Sequence, residues 1–233
     1  MIKLRTILLC LLLALTGAGV EAALFGGGEG KAFDAASNSF RLEMWERAER
    51  EFAEFGKEYP KSERLSDAVL LQAQAQFAQR KYREMLELLE PRQAQAGSLA
   101  DQYLYWIGEA QFKATNYSAA AVTFGKLARE FPTFSKRLEA AVNEAAALAK
   151  LGHWTNVVEL LRNPGGPFRL AASAAAAGDE MVARGFLLQA EVQFTLQMLP
   201  DAEVTLKKIT AGLSGELEWR RRFLLGRTLV ERG

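Results

Sequence analysis

This chain of 233 residues has only one cysteine and one histidine. Cys10 lies inside an apolar run near the amino terminus. The remainder therefore has no disulfide, thiol nucleophile or cysteine-bound metal, and must be held together by packing alone. His153 stands between Gly152 and Trp154, with no second histidine or cysteine to share a metal and no serine or thiol placed for it to activate. It reads as a loop residue. An excess of one charge is also missing: 29 Lys and Arg face 28 Asp and Glu, a net charge of +1, so nothing points to nucleic acid or an anionic membrane as a partner. The glycines at 26–28 and 30 lack the Lys-Ser/Thr ending and preceding strand of a phosphate-binding loop, and no cofactor is expected. Carboxylates are plentiful, but Glu43, Glu46, Glu49, Glu51 and Glu54 alternate with Arg47 and Arg50 opposite Trp45, Ala48, Phe52 and Phe55. That is the solvated, ion-paired side of an amphipathic helix, and no acid/base pair stands out. These absences together point away from an enzyme.

The first 22 residues differ from the rest. Lys3 and Arg5 precede an apolar run from Ile7 to Leu15, and Val20-Glu21-Ala22 places small residues at the −3 and −1 positions of a cut before Ala23. This is the layout of a secretory signal peptide. The apolar stretch, about 14 residues, falls short of the roughly 20 needed to cross a bilayer, so no transmembrane segment is expected in the mature chain. Loss of residues 1–22 would leave 27 basic and 27 acidic residues. Residues 23–31 read as a flexible glycine-rich leader.

A phrase recurs in the rest of the chain: AQAQFAQRKY ending at Tyr82, GEAQFKATNY ending at Tyr117 and AEVQFTLQML ending at Leu199. With Trp45 and Trp154 in the same role, the anchors at 45, 82, 117, 154 and 199 are spaced by 37, 35, 37 and 45 residues, the range of helical-hairpin repeats. Small residues stand nine before each anchor: Ala36, Ala73, Gly108, Ala145 and Ala190. These allow close approach of the paired helix. Residues three after (Ala48, Met85, Ala120, Val157, Ala202) and seven after (Phe52, Leu89, Phe124, Leu161, Leu206) are expected to fill the space between hairpins. Fifteen after, Pro60 and Pro132 mark the ends of second helices, with Gly97 and Ser214 as turn formers in the same slot.

These positions resemble the tetratricopeptide repeat family. The fullest version lies at Asp101 to Pro132, with Leu104, Ile107-Gly108, Phe112, Tyr117, Ala120, Phe124, Ala128 and Pro132. The resemblance implies an all-α fold: a right-handed superhelical solenoid of antiparallel helix pairs over residues 32–233, about five and a half repeats, presenting a concave face to a protein or peptide. The wide fourth gap predicts an insertion at 162–179, a loop plus a short helical segment. Leu217 to Val230 reads as the first helix of a sixth unit. The Tyr-Pro helix endings also resemble exported bacterial repeat proteins, namely periplasmic partners of the Tol-Pal envelope system and the repeat lipoprotein of outer-membrane barrel assembly. The chain lacks a lipobox and the coiled-coil segment that often precedes the repeats in the first group.

The resemblance places the phenylalanines five before the anchors, Phe40, Phe77, Phe112 and Phe194, near the inner surface of the superhelix. One reading is stacking between neighbouring first helices. The other is an aromatic groove for a peptide, formed by Phe77, Tyr105, Phe112 and Phe194 with Gln74, Glu109, Lys113, Glu191 and Arg227 setting orientation. The expectation is a non-enzymatic scaffold or adaptor, exported to the periplasm or cell envelope. The alternatives are the amino-terminal repeat module of a larger secreted or surface protein whose activity lies beyond Gly233, and a structural protein self-associating through its carboxyl end.

Overall fold

The structure, a computed structural model, describes residues 27–209 and 215–233. The expected signal peptide, residues 23–26 of the expected leader, and Ser214 lie outside the described residues. Among those described, helices alternate with short turns and no strand occurs. Two compact units divide at Gly97 and Ser98. The first holds α1 (27–41), α2 (Trp45–Glu58), α3 (Leu65–Ala78) and α4 (Tyr82–Leu89), followed by a 3₁₀ segment Glu90–Gln95. The second holds α5 (Ala100–Lys113), α6 (Tyr117–Glu130), α7 (Arg137–Lys150), α8 (Trp154–Arg162), α9 (Pro167–Ala174), α10 (Glu180–Thr195), α11 (Leu199–Lys207) and α12 (Gly215–Arg232). In each unit successive helices pack on one another, as an all-α helical-repeat solenoid requires.

Every anchor is the first residue of a second helix: Trp45, Tyr82, Tyr117, Trp154 and Leu199 open α2, α4, α6, α8 and α11. The five turns before them share one construction. The amide of the residue just before the anchor (Met44, Lys81, Asn116, His153, Met198) donates to the carbonyl five residues back (Ser39, Gln76, Gln111, Leu148, Gln193) at 2.8–3.0 Å. The residue before that (Glu43, Arg80, Thr115, Gly152, Gln197) has φ between 57° and 75° and donates to the carbonyl three residues back. This is the Schellman ending of a helix, which reverses the chain in three residues. Only one of the five uses glycine at its left-handed position.

The same construction accounts for the recurring Gln-Phe. The glutamine carbonyl closes the turn, and the buried side chain bonds to a neighbouring helix: Gln76 Nε2 donates to Glu49 Oε1 of the preceding α2 at 3.1 Å, and Gln111 Oε1 accepts from Thr123 Oγ1 of its own pair at 2.7 Å. The phenylalanine beside it rests edge-to-face on the anchor ring, with centroid distances of 5.2 Å for Phe40–Trp45, 5.3 Å for Phe77–Tyr82 and 5.1 Å for Phe112–Tyr117.

Some expectations are corrected. Residues 27–31 of the expected leader are helical. They are held because Ser62 Oγ donates to Glu29 Oε1 at 2.6 Å, while Phe33, one turn on, packs against Phe52 and Phe55. The bulky residue seven after an anchor does not only fill space between hairpins, since Phe124 lies directly over Gly108 of its own pair. The second helix of the second repeat stops at Leu89, well before Gly97, because Pro91 cannot donate to an α-helical carbonyl and the chain tightens into 3₁₀ turns.

In the second unit, the 162–179 segment carries α9. Its Phe168 is fully buried, 5.3 Å from Phe186 edge-to-face, and lies so close over Gly185 that a Cβ there would enter the ring. Asp179 caps α10, accepting from the amides of Met181 and Val182 at 2.8 and 3.1 Å.

Candidate functional site

First helices of successive pairs, α5, α7 and α10, together with α12, line a cleft of about 340 Å³ in the second unit. Helical spacing puts its residues on shared faces. α5 gives Glu109, Phe112 and Lys113; α7 gives Glu139, Val142, Asn143 and Ala146; α10 gives Met181, Arg184, Leu187, Leu188 and Glu191; α12 gives Leu217 and Arg220. Apolar side chains and charges of both signs line this surface together.

Four residues singled out from the sequence meet here: Glu109, Phe112, Lys113 and Glu191. Asn143 Nδ2 donates to Glu109 Oε1 at 2.8 Å, and Arg220 pairs with Glu191 at 2.6 Å. Burial, aided by the negative charge of Glu139, pushes the Glu109 carboxyl above its ordinary range. Lys113, Lys136 and the Asn143 hydrogen bond pull the other way.

The other expected groove residues are placed differently. Tyr105 is only 5% exposed. Its hydroxyl donates to Glu139 Oε1 and accepts from Lys136 Nζ, both at 3.0 Å, and the lysine ammonium lies 4.1 Å from the ring centroid. Burial, followed by the charges of Glu109 and Glu139, drives its phenol pKa far upward. Tyr105 also borders a second hollow of about 510 Å³ with Trp106, Phe134 and Lys136. Phe194 is half-buried beneath Arg227, whose guanidinium carbon is 4.7 Å from the ring centroid and which pairs with Glu231 at 3.0 Å. Phe77 and Gln74 belong to the first unit, on α3, both half-buried, with Phe77 against Tyr82.

Glu139, Val142, Asn143, Arg184, Leu188 and Arg220 were not anticipated. The i, i+3, i+4, i+7 series 139-142-143-146 and 184-187-188-191 mark all of these except Arg220 on single helix faces. Among the described residues, no group of three or more His, Cys, Asp or Glu could hold a metal ion, and no helix is long and apolar enough to cross a membrane.

A model of the tetratricopeptide repeat family matches residues 102–133. The match falls on the α5–α6 pair, so this pair is a tetratricopeptide repeat, and it supplies the first wall of the cleft. Repeats of this kind generally serve as protein-interaction modules. No curated protein matches the chain.

Proposed function

We propose that the chain is a non-catalytic scaffold exported to the periplasm or cell envelope, which takes an extended or helical peptide segment of a protein partner into the cleft between α5, α7, α10 and α12. The observation that carries this reading is the cleft itself, whose lining combines apolar Val142, Ala146, Leu187 and Leu188 with charged Lys113, Arg184, Glu109 and Glu191. Such a surface offers anchoring for apolar side chains and orientation through charge, as helix-in-groove and extended-peptide recognition need. The export part rests on residues 1–22 and on the resemblance of the helix endings to exported repeat proteins.

The test compares crosslinked partners from envelope fractions for the wild-type chain and Ala146→Trp, which fills the cleft from a half-buried position while leaving the Phe112–Tyr117 contact intact. A partner held by wild type and lost from a variant with an unchanged melting temperature supports the cleft. Identical capture by both would remove it as the site. Amino-terminal sequencing of the secreted chain checks export, with Ala23 as the expected first residue.

A further inference from the structure

Eight residues before the anchors of the third, fourth and fifth repeats stand Glu109, Ala146 and Glu191, and all three line the cleft. The two glutamates are supplied differently. Glu191 has the guanidinium of Arg220, on α12, at 2.6 Å. Glu109 instead meets α7, which offers the neutral amide of Asn143 at 2.8 Å and the like charge of Glu139. That amide bonds to Oε1 alone. Among the described residues, Glu109 Oε2 has no donor and no cation is in ion-pair contact with the carboxylate. Glu139 does not share this lack, since the Tyr105 hydroxyl donates to its Oε1 at 3.0 Å and Lys136 lies 3.7 Å from its Oε2.

The cleft also has free cations, but of another kind. Lys113 and Arg184 are exposed and form no ion pair among the described residues. An exposed cation is satisfied by water and gains little from a partner. A half-buried carboxylate beside a second carboxylate has lost part of its hydration with no charged group in return. The site therefore lacks a cation more than it lacks an anion. Shape agrees with charge. Ala146 ends at Cβ at the register position where α5 and α10 carry glutamate, and Val142 and Leu187 belong to the same lining. The hydrocarbon stem of a lysine or arginine lies along such a surface while its charged head reaches a carboxylate. Lys113 and Arg184 repel a run of basic residues, so the cation suited to the site is a single one between apolar or acidic neighbours.

From this charge pattern, and resting on the reading of the cleft as a peptide site, we infer that the bound peptide presents an isolated lysine or arginine. Its side chain passes over Ala146 and donates to Oε2 of Glu109, giving the carboxylate the cation that Glu191 already has in Arg220.

Selection of short random peptides displayed on phage against the full chain, followed by fluorescence anisotropy of the synthesised winners, tests it. One lysine or arginine is expected to recur at a fixed offset from an apolar residue. Replacing that basic residue by norleucine is expected to weaken binding to the wild type by about tenfold or more, the worth of a charge-assisted hydrogen bond. The same replacement is expected to cost less than about twofold with Glu109→Gln, which keeps an acceptor for Asn143. Thermal melting checks that the variant is folded. Winners with an acidic residue in that place, or with no preference for charge, overturn the inference. If Ala146→Trp abolishes their binding, the cleft still stands as the peptide site and Glu109 is left to Lys113, one turn along α5. An equal loss in wild type and Glu109→Gln puts the cation elsewhere and overturns it as well. Binding that survives Ala146→Trp, or no selected peptide at all, overturns the peptide cleft itself and the inference with it.

Discussion

The Phe124 ring occupies the space that a side chain on Gly108 would need: a Cβ there would stand 2.7 Å from the nearest ring carbon. This contact fixes how closely α5 approaches α6, and through them one wall of the cleft. The second, fourth and fifth repeats combine alanine in the glycine slot with Leu89, Leu161 or Leu206, and the first combines Ala36 with Phe52. Gly108→Ala is expected to destabilise the second unit by about 1–3 kcal/mol, the usual cost of overpacking. Denaturant unfolding measures it. A shift below about 0.5 kcal/mol would mean that the ring can move aside.

The left-handed turn positions give a prediction of opposite sign. Thr115 holds φ at 62° although its β-branched side chain disfavours that region, whereas Gly152 fills the matching position at 75° without strain. Thr115→Gly is expected to stabilise by about 0.5–1 kcal/mol, after allowing for the added freedom of glycine in the unfolded chain. Gly152→Ala is expected to destabilise by about 1 kcal/mol. Thermal melts of the two variants should move in opposite directions, and movement in the same direction would contradict this account of the turn.

Glu109 makes the cleft sensitive to pH. Burial and then the charge of Glu139 raise its carboxyl above the ordinary value of 4.5. The folded state therefore holds this proton more tightly than the unfolded one, and the wild type loses stability as pH rises from 4.5 through the raised folded value. Glu109→Gln keeps an acceptor for Asn143 and removes the charge. It is expected to melt above wild type at pH 7, with the difference closing below about pH 4. Equal melting at pH 7 would show that water already relieves the carboxylate.

The inserted helix α9 has one fully buried side chain, Phe168, which packs against Phe186 and over Gly185, while Arg169 lies over the Phe186 ring and Ala172 packs on the same core. Phe168→Ala is expected to cost about 3–5 kcal/mol if α9 unfolds together with the unit. If α9 alone is released, limited proteolysis will cut first within the alanine-rich stretch 171–177 while the rest stays protected. Unchanged stability together with unchanged protection would show that α9 is held by something else.

The spacing of Tyr82, Tyr117 and Leu199, with Trp45 and Trp154, located the start of every second helix. Register on a helix is local, set by 3.6 residues per turn and by the turn that ends the previous helix. The same local rule made Ala36, Ala73, Gly108, Ala145 and Ala190 legible as close-approach positions, and marked 162–179 as an interruption. Site reasoning was less complete. Glu109, Phe112, Lys113 and Glu191 reach the cleft, whereas Tyr105 turns inward to Glu139 and Lys136, and Phe77 leans on Tyr82. Aromatic content does not say which of two neighbours a ring will cover.

Composition and spacing by themselves determined an all-α chain of helix pairs, the starts of its second helices, and the lack of thiol chemistry outside Cys10. Only the tertiary structure decided that the cleft is walled by Val142, Asn143, Arg184 and Leu188, and that Phe40, Phe77 and Phe112 brace turns by resting on their anchor rings. The physical reason is distance along the chain. A turn or a helix face is written in a few adjacent residues, whereas the wall of a cleft and the exposure of a helix depend on which segments tens of residues away come to lie against it.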